Sequence, residues 1–100
     1  MVLVVFLTVR RAQLASFRDY EAAAARIMAA HGGAIARAVV LDADPAEPDH
    51  LTEVHLVDFP DAAALAAYRA DPALAALAEQ RARAVARTQV WQGEPGPRYG

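Results

Sequence analysis

The first strand constrains this chain more than any other feature. Met1 to Val9 is apolar almost throughout, with Leu3, Val5, Leu7 and Val9 on one alternation and Val2, Val4, Phe6 and Thr8 on the other. A strand that is apolar on both alternations needs cover on both faces. Its length suits a strand and not a membrane span of about 20 residues. Arg10 and Arg11 follow it, where a signal peptide would have a basic leader before it and a small-residue cleavage site after it. A cytoplasmic protein is the expectation.

Downstream, periodicity and breakers alternate. From about Leu14 to Ala30, Phe17, Tyr20, Ala24, Ile27, Met28 and His31 share one helical stripe, and Arg18, Asp19 and Arg26 lie off it. Gly32-Gly33 supplies the stop. The helix starts either with a capping box at Ser16 and Asp19 or near Gln13. Ala34 to Leu41 reads as a second strand, and the acidic, proline-broken stretch from Asp42 to Asp49 as a solvent loop. Leu51 to Phe59 reads as a third strand. Pro60-Asp61 opens a short helix to about Arg69, and Asp71-Pro72 opens another, with Leu74, Leu77, Arg81 and Val85 at helical spacing. Arg87 to Gln92 is a fourth strand. Residues 1–93 then form one domain, and 94–100 a Pro/Gly-rich tail.

The order is β-α-β-β-α-β, the split βαβ pattern of a ferredoxin-like α+β fold with a four-stranded antiparallel sheet. A chain of 100 residues is a single domain near the lower limit for a self-sufficient core. Its two helical segments cover one sheet face only. The other face would leave Val4, Phe6, Val57 and Trp91 in water, a patch too apolar for a stable monomer. The expected partner is a second copy, packed sheet to sheet as a homodimer.

Composition removes several chemistries. There is no cysteine, no lysine and no asparagine, and Ser16 is the only serine. Thiolate nucleophiles, Schiff bases, asparagine oxyanion contacts and most serine-hydrolase arrangements are thereby excluded. The net charge of −2 argues against nucleic acid and anionic membranes as partners. The fold order also builds RNA-recognition domains, but the third strand carries Glu53 and Asp58 where such a domain needs basic and aromatic residues. His31, His50 and His55 show no metal-ligand spacing, so neither metal nor cofactor is expected.

Four segments share a joint spacing with a known family: His31-Gly32-Gly33 after an amphipathic helix, Asp58-Phe59-Pro60-Asp61, Asp71-Pro72, and Leu77 to Arg81. Together they resemble the domain-of-unknown-function family DUF1330, of the dimeric α+β barrel superfamily, over roughly Phe17 to Gly93. The resemblance implies a fold and a dimer, and it brings no activity. The chain departs from the family pattern at Ala34 (usually arginine), at Tyr68-Arg69 (usually tryptophan-tyrosine) and at Leu74 (usually tyrosine). The wider superfamily that it resembles includes cofactor-independent oxygenases of aromatic polyketides and haem-degrading enzymes. The asparagine that both groups use is absent here.

The candidate site follows from which side chains share a sheet face. With Leu3, Val5, Leu7, Val54 and Leu56 facing the helices, the opposite face would collect Phe6, Thr8, Arg10, Glu53, His55 and Val57, joined from strand four by Gln89 and Trp91 or else by Thr88 and Val90, the former preferred because Val90 suits the helix side. His55 with Glu53 two residues away is the sharpest pair. The carboxylate can orient the ring for acid/base catalysis; the alternative is a stabilising cross-strand pair. His31, at a helix end, and Tyr20 and Tyr68, on helices, are further candidates for ligand contact. The plainer roles are a dipole-favoured cation and core aromatics. Arg81 matches the arginine of the resembled family and is expected to pair with Glu79 or a neighbour.

Three functions remain. The first is binding of a small organic molecule in the barrel cavity, with histidine acid/base chemistry of isomerase, cyclase or lactone-hydrolase type. The second is a non-catalytic dimeric interaction or scaffold module. The third is a cofactor-independent monooxygenase.

Overall fold

β1 (Val2–Arg10) is an inner strand of the sheet, as its two apolar alternations demand. A computed structural model describes residues 1–100. After β1 come a 3-10 turn (Arg11–Gln13), α1 (Leu14–Ala30), β2 (Ala34–Val40) and β3 (His50–Asp58). Three short helices follow, α2 (Ala62–Arg69), α3 (Pro72–Ala75) and α4 (Ala78–Ala84), and then β4 (Val85–Gly93). The four strands run antiparallel in the order β2-β3-β1-β4. This is the ferredoxin-like α+β fold.

Local chemistry sets the boundaries. Asp61 caps α2 by accepting from the Ala64 N–H at 2.8 Å, and Asp71 caps α3 from Ala73 at 2.9 Å with Pro72 in the first turn. α1 starts after Gln13 with no side-chain cap, so Ser16 and Asp19 lie inside the helix. The single helix expected after Asp71 is broken instead. The Leu77 N–H reaches back only three residues, to Leu74 O at 3.0 Å, and α4 starts afresh. Arg10 secures the far end of α4 by donating from Nη1 to the Ala82 and Arg83 carbonyls at 3.1 and 3.0 Å. A cation there suits the negative end of a helix. A bulge in β4 moves its partner on β1 from Thr8↔Arg87 to Val9↔Val85.

α1 ends on Gly32, whose φ of +77° is the left-handed stop. Gly33 serves a different purpose. A Cβ placed there would meet Phe59 Cε1 at 2.5 Å and Met28 Cγ at 2.6 Å, both in the second of the two buried clusters. Gly33→Ala is therefore expected to cost about 1–3 kcal/mol by overpacking. Gly93→Ala, with nothing within 4 Å, should cost far less. Urea denaturation of the two variants checks this, and equal midpoints would contradict it.

The register decides the faces. β1 pairs Leu3↔Val57, Val5↔His55 and Leu7↔Glu53, and directly opposed residues point to the same side of a sheet. The helix-covered side therefore holds Leu3, Val5, Leu7, Glu53, His55 and Val57. Sequence periodicity placed Val54 and Leu56 there in place of the β3 trio, which is a one-residue slip for that strand. The assignment on β4 agrees with expectation: Val90 opposes Val5 beneath the helices, and Gln89 and Trp91 oppose Phe6 and Val4 on the other side.

That other side is open. Its middle consists of two cross-strand rows, Val39–Val54–Phe6–Gln89 and Arg37–Leu56–Val4–Trp91. Leu56 is 39% exposed and Trp91 64%. The chain is a slab 41 × 36 × 17 Å, one helix layer on one sheet. Residues 94–100 form no helix or strand and are exposed. No helix is long and apolar enough to cross a membrane.

Candidate functional site

Between the sheet and its helices lies a cavity of about 360 Å³, within the range of small-molecule sites. Leu3, Val5, Leu7 and Val57 form its floor, with Val90 at the edge; Tyr20, Met28, Leu65 and Leu74 close it from the helix side. The cavity forms because α3 and α4 present small residues there, Ala75 and Ala78, where longer side chains would fill the space.

Into this apolar chamber the fold brings a compact set of polar groups. His55 sits at the middle of β3 with its side chain 5% exposed. Its Nε2 donates to Glu53 Oε1 at 2.8 Å, the carboxylate being the acceptor. On the other edge of the ring, Nδ1 stands 3.8 Å from Glu21 Oε2, which α1 supplies. That distance is beyond a hydrogen bond and short enough for a small shift to close. Glu53 and His55 are neighbours on one face because a strand repeats every two residues. Glu21 reaches them because it lies four residues after Phe17 and three before Ala24, on the buried side of α1.

Burial pushes the Glu21 carboxyl above its ordinary range and the neighbouring Glu53 charge adds to the rise, while His55 and Arg81 oppose it. Burial also raises both tyrosine hydroxyls, Tyr20 against the opposing charge of Arg81 and Tyr68 up to about 12. At neutral pH both phenols therefore keep their protons and can donate hydrogen bonds. Arg81 projects from α4 to the same wall and donates from Nη2 to Thr88 Oγ1 at 2.6 Å. The salt bridge expected from Arg81 to Glu79 or a neighbour does not form; the Thr88 hydroxyl of β4 takes its place.

The expected site residues separate into two groups. His55, Tyr20 and Tyr68 meet at the cavity, with Glu53 behind His55. Phe6, Thr8 and Gln89 line a depression of about 260 Å³ on the open face, together with Thr52 and Arg87, and Trp91 is also on that face. Arg10 is at the strand end, bound to carbonyls of α4. The single pocket predicted from periodicity is thus divided by the sheet itself, a direct result of the slip in β3. His31 binds Asp71 Oδ2 at 2.7 Å and places its ring 6.4 Å from that of Tyr68. It ties the end of α1 to the cap of α3 and does not line the cavity. No three His, Asp or Glu side chains converge as a metal cage.

Glu21 and Thr88 were missed. The signal for Glu21 was present, since a carboxylate at the i+4 position from Phe17 on an otherwise apolar stripe is out of place unless it has a buried partner.

The DUF1330 family model, described as a domain of unknown function, matches residues 3–92. No curated protein matches. Among solved structures, a protein of unknown function from Rhodopseudomonas palustris superposes with a TM-score of 0.79 at 16% identity, over 97% of this chain and 83% of that one. A provisionally assigned antibiotic biosynthesis monooxygenase from Bacteroides thetaiotaomicron gives 0.68 at 20% identity, over 95% and 88%. SnoaB, a cofactor-independent oxygenase from Streptomyces nogalater, gives 0.62 at 18% identity, over 95% and 93%. At such identities the likeness is one of fold.

Proposed function

For a chain that belongs to the DUF1330 family, we propose a small-molecule function seated in the cavity between helices and sheet: proton transfer to and from carbon beside a carbonyl group. The observation that carries this reading is the Glu53–His55–Glu21 line at the cavity wall. Glu53 holds the Nε2–H of His55, which leaves the Nδ1 lone pair directed toward Glu21. Glu21, its pKa raised by burial, is the carboxyl best placed to exchange a proton with the His55 ring.

In such a step the Glu21–His55 pair removes a proton from the carbon, and the electron pair moves onto the carbonyl oxygen. The Tyr20 and Tyr68 hydroxyls, both protonated, are the donors available to that oxygen. Return of the proton to a different carbon is isomerisation; attack of the enolate on a second carbonyl is cyclisation. The apolar walls exclude water and strengthen each of these interactions. The asparagine-dependent chemistry of the wider superfamily has no residue to carry it in this chain.

Deuterium exchange from heavy water into small cyclic ketones and lactones, followed by proton NMR, tests the reading. Wild type should accelerate exchange, and Glu21→Gln should lose about a hundredfold or more of it while still showing ligand-induced thermal stabilisation. Stabilisation without exchange in the wild type would leave a binding module in place of an enzyme.

The partner that fits the open face is a second copy of this chain. The helix side is already covered, and Val39, Val54, Phe6, Leu56, Val4 and Trp91 form an apolar centre on the bare side. Arg37, Arg87 and Gln89 supply polar groups around them. A two-fold pairing would cover the same patch on both copies with one operation.

A further inference from the structure

We propose that the molecule held in the cavity is an organic anion, a carboxylate on a hydrocarbon body, and that Arg81 is the residue that receives its charge. The inference rests on the cavity reading above and adds the chemical class of the ligand.

Every other arginine of the chain is exposed to solvent, and one of them, Arg87, pairs with Glu47. Arg81 has no carboxylate within ion-pair distance. It is half-buried at the wall of a mainly apolar chamber, it donates to the neutral hydroxyl of Thr88, and its guanidinium also stands against the Tyr20 hydroxyl. A guanidinium offers five donors in a planar fork suited to two carboxylate oxygens. One N–H is spent on Thr88. Because Thr88 Oγ1 accepts that bond, its own hydroxyl hydrogen remains free to donate to the same anion.

The other charges around the chamber leave this role to Arg81. On α1, Glu21 is engaged with His55; on β3, His55 lies between Glu21 and Glu53; on α2, Arg69 is exposed at the rim. Tyr20 and Tyr68 are neutral donors. The charge of Arg81 reaches Tyr20, Glu21 and Tyr68 alike, so it stands within range of the groups proposed to act on the ligand. An acid anchored there would extend its hydrocarbon part across Val5, Leu3 and Met28. Its carbon next to the anchored group would face the Glu21–His55 pair.

The test compares charge at constant shape. Octanoate, phenylacetate and naphthoate are titrated against the protein beside their primary amides, by calorimetry or by NMR. Wild type is expected to prefer at least one acid over its amide by tenfold or more. Arg81→Met should remove the preference while leaving amide affinity within threefold, and Arg81→Lys should keep part of it. Equal binding of acid and amide to wild type would overturn the inference while leaving the cavity reading intact. An acid preference that persists unchanged in Arg81→Met would overturn the role of Arg81. Absence of binding by every acid and amide would overturn the cavity reading, and this inference with it.

Discussion

Replacing His55 with alanine is expected to destabilise the domain by about 3–5 kcal/mol, the cost of leaving a buried charge without its partner. The ring is the common neighbour of Glu53 and Glu21, at 2.8 and 3.8 Å. Without it, two carboxylates face each other across a nearly dry space. In a chain of this size each kcal/mol moves the thermal midpoint by roughly 4–8 °C, so the fall should exceed about 10 °C. The double variant His55→Leu/Glu53→Leu should recover part of that loss, because apolar side chains of similar volume often replace a buried pair without penalty, while Glu21 keeps a buried carboxyl with no histidine beside it. It should nonetheless show no deuterium exchange. Thermal and urea denaturation of wild type, single and double variants check the pattern. A single variant within 1 kcal/mol of wild type would mean that the pair is more hydrated than its burial indicates.

Leu56→Asp is expected to convert a dimer into monomers without unfolding them. Leu56 lies in the row Arg37–Leu56–Val4–Trp91 and points away from the helices, so the substitution leaves both buried clusters untouched. A central interface residue contributes about 2 kcal/mol or more, and two-fold symmetry applies the loss twice. The dissociation constant should therefore rise by roughly a thousandfold. Sedimentation equilibrium reads the mass, and far-UV circular dichroism should be unchanged. A wild type that sediments at the mass of one chain at high concentration would remove the dimer from this account.

Much of the architecture was legible in the residues. The order of strands and helices, Asp61 and Asp71 as caps, and the Gly32 stop all follow from local chemistry that tertiary packing reinforces. Leu51 to Phe59 was not legible to the same degree, and the reason is physical. One alternation of that strand carries Glu53 and His55, the other Val54 and Leu56. A rule that sends charge to solvent puts the second set under the helices. In the folded chain the charged pair is inside, because each member satisfies the other, and the aliphatic pair is outside. Register with β1 settles the matter, since Leu3 opposes Val57, and no single strand contains that information. The slip also separates His55, on the helix side, from Phe6 and Trp91, on the reverse.

Beside α1, the roof of the cavity is built from three short helices of eight, four and seven residues, which bring Ala75 and Ala78 to it. Enlarging Ala75 or Ala78 shortens the chamber from above, while the sheet, the β3 pair and the covering face below keep their geometry. The molecule thus separates what is held from what does the holding. Under the proposed cavity function, selectivity would change one roof residue at a time without renegotiating the frame that lets the chain fold.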